Sequence, residues 1–218
     1  SNVEIYNRST DTSANFVNPW ALGTPYQPQQ AAPMPTTQAC LFIGSIGFAF
    51  APVQADWNTD TFSVLGTFGA GIFAGQISST VISPDDKAHI IGNGNDFSTT
   101  KWLFNRLTTS FGANGTYIQN SSGGSCCQNT VRGYIMGGTS NGVIPYNTVV
   151  RFVFDTQLNV FTNTMPGARA QSFGAGDGTY GIFFCGTLGA VSNATAVTLY
   201  RLTLSTEVST FTTYLPTP

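Results

Sequence analysis

The sequence predicts an all-β chain, a β-propeller of about four to five four-stranded blades preceded by an N-terminal half-blade. Three observations predict it. A segment ending in phenylalanine recurs, best seen as Phe154-Asp-Thr-Gln-Leu-Asn-Val-Phe161, Phe104-Asn-Arg-Leu-Thr-Thr-Ser-Phe111 and Leu204-Ser-Thr-Glu-Val-Ser-Thr-Phe211. With looser versions ending at Phe16 and Phe62, the closing aromatics are spaced 46, 49, 50 and 50 residues apart. A second marker, an apolar run closed by glycine, falls between them at Gly44, Gly92, Gly137-Gly138 and Gly186, with spacings of 48, 45 and 49. No segment has a convincing helical period, whereas each unit holds four short strand-like runs bounded by turn residues. Four strands per repeat of 40–50 residues is the pattern of a propeller blade.

In chain order, with strands a to d in each unit, the chain enters at a c strand near 3–6 and reaches d at Phe16. Residues 18–38, NPWALGTPYQPQQAAPMPTTQ, are rich in Pro and Gln and read as an irregular d–a connection on the surface. Four a–b–c–d units follow. In the last, 168–174 and 180–185 are strands around the turn Gly176-Asp177-Gly178, 186–194 is a polar loop, and 195–204 and 208–211 close the blade. The β-branched and glycine-rich surroundings of 100–107 argue for strand there too. The organisation expected is one domain over 1–218, with a partial blade and connection over 1–39 and repeats over 40–218.

Within one unit, GYIMGG (133–138), FVFDTQLNVF (152–161) and MPGAR (165–169) follow one another. In that order they resemble a kelch repeat: a hydrophobic strand closed by a glycine pair, a strand leading into an Asp turn, an aromatic, then a Pro-Arg element opening the next blade. The last unit matches less fully and the others loosely. Phe stands where the family has Trp, and only Gly137-Gly138 keeps the pair.

Elementary chemistry explains the same features. Apolar runs with little alternation suit strands covered on both faces. Glycine after the run permits positive φ. Asp or Asn in a turn binds its own backbone two residues on. The closing phenylalanines are expected to pack against the next blade, so Phe111→Ala, Phe161→Ala and Phe211→Ala should each cost about 3–5 kcal/mol.

Composition narrows function. Charged residues are 8% of the chain and the net charge is -2, against roughly 25% charged in typical domains. The eight Lys and Arg are scattered, so nucleic acid and anionic membrane are not expected as partners. No apolar stretch is long enough to span a bilayer, and SNVEIYNRST lacks the basic and apolar regions of a signal peptide. Cys40, Cys126, Cys127 and Cys185 have no metal-ligand spacing and read as small hydrophobes with free thiols. His89, the one histidine, lies in the apolar run AHIIG and reads as a satisfied core residue. The copper oxidases built on kelch propellers need two histidine ligands, which one histidine cannot supply. No GxSxG elbow accompanies His89, most acidic residues sit in turns, and the glycine-rich pieces at 69–71 and 174–178 are turns rather than phosphate loops.

The expectation is therefore a non-catalytic chain without cofactor or metal. It would be a structural or adhesive subunit of a larger assembly, a virion component such as a bacteriophage capsid-accessory or tail protein, to which the composition is similar. The alternative is a carbohydrate-binding, lectin-like propeller whose partner is a cell-surface glycan. The b–c loops do not supply the matching aromatic that equivalent sugar sites require. Location in a virion or outside the cell goes with either. Contacts with other subunits are expected on the variable loops and the 18–38 segment, where Trp20 and Tyr26 stand between prolines as rigid anchors. They are also expected on the leading hairpin, carrying Tyr6 and Phe16, whose open edge invites another strand.

Overall fold

The computed structural model describes residues 3–7, 12–16, 26–33, 39–46, 49–56, 59, 61–70, 79–91, 99–119, 123–140, 144–170, 172–184 and 198–214. The chain opens with a hairpin of β1 (Val3–Asn7) and β2 (Thr12–Phe16), in register from Val3↔Phe16 to Asn7↔Thr12. Blade 1 follows, with β3 (Tyr26–Pro33), β4 (Ala39–Ile46), β6 (Val53–Asp56) and β7 (Thr61–Val64). The short β5 (Ala49–Phe50) and β8 (Phe68–Ala70) extend the far end of β4. Blade 2 is β9 (Ser79–Ile82), β10 (Lys87–Ile91), β11 (Thr100–Asn105) and β12 (Ser110–Thr116). Blade 3 is β13 (Ser125–Gln128), β14 (Arg132–Met136), β15 (Tyr146–Val153) and β16 (Asn159–Arg169). Blade 4 is β17 (Phe173–Gly176), β18 (Tyr180–Phe184), β19 (Thr198–Thr203) and β20 (Val208–Tyr214). Each blade is an antiparallel meander, and together the four form a β-propeller. No helix occurs among the described residues.

The inner a strands lie against one another. Cys126 Sγ donates to Thr80 O at 2.9 Å. The Gln128 carboxamide accepts from Ile82 N at 2.6 Å and donates to Ile82 O at 2.8 Å, as a strand partner would. Ser125 and Ser172 join their hydroxyls at 2.7 Å.

The core is a set of layers between blades. Leu41 of blade 1 meets Ala88, Ile90 and Phe104 of blade 2. Ile91 and Val81 of blade 2 meet Ile135, Val150, Phe152 and Phe154 of blade 3. Tyr134, Met136 and Val149 of blade 3 meet Phe183, Tyr200 and Leu202 of blade 4. The b strands of blades 2 and 3 are therefore covered on both faces, and Ala88, His89, Ile90 and Ile91 are all buried in succession. That is why the runs AHIIG and GYIMGG show no polar alternation.

Glycine has two uses here. Gly137 and Gly138 close β14 at φ +70° and +91°, where the amides turn to Thr148 O and Arg169 O at 3.0 and 2.8 Å. Gly133 and Gly181 serve close approach. A Cβ on Gly133 would sit 2.8 Å from Val81, and one on Gly181 would collide with the Cys127 Sγ. Strand b of blades 3 and 4 thus lies directly over strand a of the blade before it.

Three expectations are corrected. The c–d turns hold four residues each, 106–109, 154–157 and 204–207, and close on Thr109, Gln157 and Glu207 with φ +49°, +58° and +58°. By that register Phe104, Phe152 and Leu202 are equivalent, so the sequence match of Phe104 with Phe154 is displaced by two residues. A shift of two preserves the face, which is how the match looks plausible in sequence. Phe111 pairs across from Phe104 and stacks on Trp102 at 5.2 Å, whereas Phe161 is 51% exposed and cannot carry the packing cost expected of it. The side chain of Phe211 lies outside the described residues.

Second, MPGAR does not open blade 4: Met165–Arg169 is the end of β16, continued past bulges between Tyr146 and Thr148 and between Val149 and Val150. Third, part of the expected 18–38 connection is strand β3, the a strand of blade 1. Its prolines are tolerated because an a strand is a sheet edge, and the register breaks between Pro28 and Gln30.

Candidate functional site

Since each blade is a meander, its a–b and c–d turns share one end. At that end, blades 3 and 4 leave a cleft of about 370 Å³ lined by Asn129, Val131, Arg132, Gly178, Thr179, Leu204 and Ser205. The turns around it are braced by their own side chains. Asn129 Oδ1 accepts from Val131 N and Arg132 N at 2.9 and 2.8 Å. Asp177 Oδ1 accepts from Tyr180 N and Thr179 N at 2.7 and 2.8 Å, bonds that hold its carboxyl below the usual range.

Behind the cleft sits a shared carboxylate. Glu207, the last residue of the blade 4 c–d turn, accepts at Oε1 from Arg151 Nη1 at 2.8 Å and Arg132 Nη1 at 3.3 Å. Tyr134 OH lies 3.2 Å from the same oxygen and 3.1 Å from Leu204 O, and Asn163 Nδ2 donates to Glu207 O at 2.6 Å. Burial raises the Tyr134 phenol above its ordinary value. Two guanidiniums and a phenol of blade 3 converge on this one oxygen of the blade 4 turn, so Glu207 is a clamp between blades. Gln157, its equivalent in blade 3, reaches back onto blade 2, where its O and Oε1 each lie 3.3 Å from Lys101 Nζ and its Oε1 takes Asn114 Nδ2 at 3.1 Å.

The second polar cluster is His89, buried between blades 2 and 3. Its ring lies 4.8 Å from Phe152 and stacks on Phe154 at 5.7 Å. Nε2 lies 3.2 Å from Ser83 Oγ, but Nδ1 has no hydrogen-bond partner. The core placement expected from sequence is right, and the full satisfaction is not. Burial first, then the positive charge of Lys101, takes its pKa down to about 4. The imidazole therefore meets the buried Ser83 hydroxyl at Nε2 and two phenyl rings across its faces. Cys126 and Cys127 point to opposite faces of β13, and both are free thiols. Burial pushes Cys126 up to about 11 and Cys127 higher still, which makes both inert toward nucleophilic chemistry. No His, Cys, Asp and Glu side chains are grouped as a metal site among the described residues.

Of the contact residues read from sequence, Tyr6 and Phe16 stand on the hairpin opposite Ser13 and Val3, and Tyr26 opens β3 opposite Ile46. Their side chains, and Trp20 altogether, lie outside the described residues, as do 92–98, 141–143 and 185–197 of the b–c loops. The cleft and the Glu207 clamp were missed in sequence. Glu207 does sit in a marked turn, but its partners are 56 and 75 residues away. The chain matches no known protein-family model and no curated protein.

Proposed function

We propose that this chain is a non-catalytic structural or adhesive subunit of a larger assembly, a virion component of the bacteriophage capsid-accessory or tail type, built from kelch-like blades. The observation that carries the reading is the apolar dressing of the turn-bearing end. Leu107, Val131, Leu158 and Val208 are 69%, 51%, 61% and 47% exposed there. Exposed aliphatics on a surface with so little charge favour burial against another subunit. The turns hold residues in structural use: the carboxylates of Asp177 and Glu207 and the amide of Asn129 are already engaged. Its partners are other protein subunits, and its place is in the particle or outside the cell. Sedimentation of the native source tests this: the chain should travel with particles and be shielded from surface biotinylation at those four positions' neighbourhoods. Recovery only in the soluble fraction, with the turn end fully labelled, would overturn it.

The cleft supports a second reading, a lectin-like site. Arg132, Thr179 and Ser205 present a guanidinium and two hydroxyls beside the apolar Val131 and Leu204, which suits a sugar. Glycan-array binding lost in Arg132→Ala would favour that reading over the first.

A further inference from the structure

Blade 2 departs from blades 3 and 4 at one bulge. Where β12 runs past β11, Thr116 faces Thr100 and Ala113 faces Trp102, so Lys101 alone stands opposite Asn114 and Gly115. The same bulge recurs in the next two blades. There Val149 stands opposite Thr162 and Asn163, and Leu199 opposite Thr212 and Thr213. At this bulge blade 2 carries a lysine where the others have an aliphatic residue, and an asparagine where they have threonine.

Lys101 is 3% exposed. Its ammonium lies over the Phe152 ring at 4.7 Å and makes no ion pair among the described residues. Its hydrogen-bond acceptors are the neutral Gln157 O and Oε1, each at 3.3 Å, and Asn114 Nδ2 donates to the same Oε1 at 3.1 Å. The amine and the asparagine amide are thus one acceptor apart. A buried cation held by neutral acceptors alone is costly, and a carboxylate at that distance would relieve it. Burial lowers the Lys101 pKa accordingly.

Asn114 precedes the residue that lets its side chain change. The Gly115 amide nitrogen can close on Asn114 Cγ because no Cβ obstructs it. Gly115 is exposed at φ +83°, and a Cβ there would meet only Lys101 Cε, at 3.9 Å. The ring and the water that opens it both have room.

We propose that Asn114 is a self-modification site: it deamidates in the folded chain, and the carboxylate it gains pairs with Lys101 beneath the Gln157 turn of blade 3. The Gly115 nitrogen bonds to Asn114 Cγ and gives up its proton, the Cγ–Nδ2 bond breaks, and Nδ2 leaves as ammonia. Water then opens the succinimide at either carbonyl, giving aspartate or isoaspartate, and both products carry a carboxylate. One neutral hydrogen bond to Gln157 is lost and a charge-assisted one to Lys101 is gained, which is roughly twice as strong. Water is the only co-reactant, so the chain tightens the seam between blades 2 and 3 by itself after folding.

Incubation of the full chain at mildly alkaline pH, followed by peptide mass mapping, tests the reaction. The peptide bearing Asn114 should gain the mass of one deamidation, and Gly115→Ala should slow that gain. Thermal melting tests the consequence. The encoded Asn114→Asp variant should melt about 2–4 °C above the wild type, and the gain should vanish beside Lys101→Leu, the residue type blade 4 carries there. Asn93 and Asn141 also precede glycine and serve as internal standards. An Asn114 peptide still unconverted when theirs have converted overturns the site. An Asn114→Asp variant that melts at or below the wild type, or whose gain persists beside Lys101→Leu, overturns the ion pair.

Discussion

His89 should make the fold sensitive to mild acid. The imidazole titrates near 6.5 in an unfolded chain and near 4 in the folded one. As pH falls below 6.5 the unfolded state takes up a proton that the folded state refuses, so stability is present in full above 6.5 and declines toward 4. Below 4 both states are protonated and the loss levels off. At about 1.4 kcal/mol per unit, the full loss is on the order of 3 kcal/mol, and about 2 kcal/mol has gone by pH 5. The groups facing the ring are Ser83, Lys101, Phe152 and Phe154, with Asp85 and Lys87 farther out. Lys101 adds to the depression, and its own value is lowered by burial.

His89→Leu isolates this contribution, because Leu41 holds the equivalent position in blade 1, opposite Gln54 as His89 is opposite Leu103. Urea unfolding of both proteins at pH 7.5 and 5.0 gives the comparison. The wild type should lose about 2 kcal/mol more than the variant between the two pH values. Parallel losses, within about 0.5 kcal/mol, would refute the buried neutral histidine.

The corrected register predicts unequal phenylalanines. Phe104→Ala should cost about 3–5 kcal/mol in chemical denaturation, while Phe161→Ala on the exposed strand should change stability by less than about 0.5 kcal/mol. Gly181→Ala should destabilise by about 1–3 kcal/mol through its collision with Cys127, and Cys127→Ala in the same chain should return part of that loss, which a double-mutant cycle by thermal melting reads directly. Glu207→Ala should cost about 1.5–3 kcal/mol by leaving Arg132, Arg151 and Tyr134 without their shared acceptor, with Glu207→Gln recovering less than half in the same assay. Alkylation at pH 8 followed by peptide mass mapping should leave Cys126 and Cys127 unmodified in the folded protein and modify both in urea; rapid labelling of folded Cys126 would contradict its burial.

The period of the repeat determined much of this protein. Four strands per unit, the turn at 176–178, the leading hairpin over Val3–Phe16 and the positive φ of Gly137 and Gly138 follow from local chemistry: apolar runs need cover, and sharp exits need glycine. Blade packing was decided by tertiary structure, because its partners are a whole unit apart in sequence. Nothing local distinguishes the partly buried Phe111 from the exposed Phe161, since both close the same spacing. Only the four-residue turns, ending at Thr109 and Gln157, set where each hairpin begins. Gly133 and Gly181 stood in plain view ahead of their apolar runs, yet their role exists only where Val81 and Cys127 lie beneath them. Likewise, the strand in the proline-rich 26–33 stretch exists because β4 offers it an edge with which to pair. Glu207 is one more turn residue in sequence, and it becomes a clamp because the blade before it presents two guanidiniums to the same oxygen.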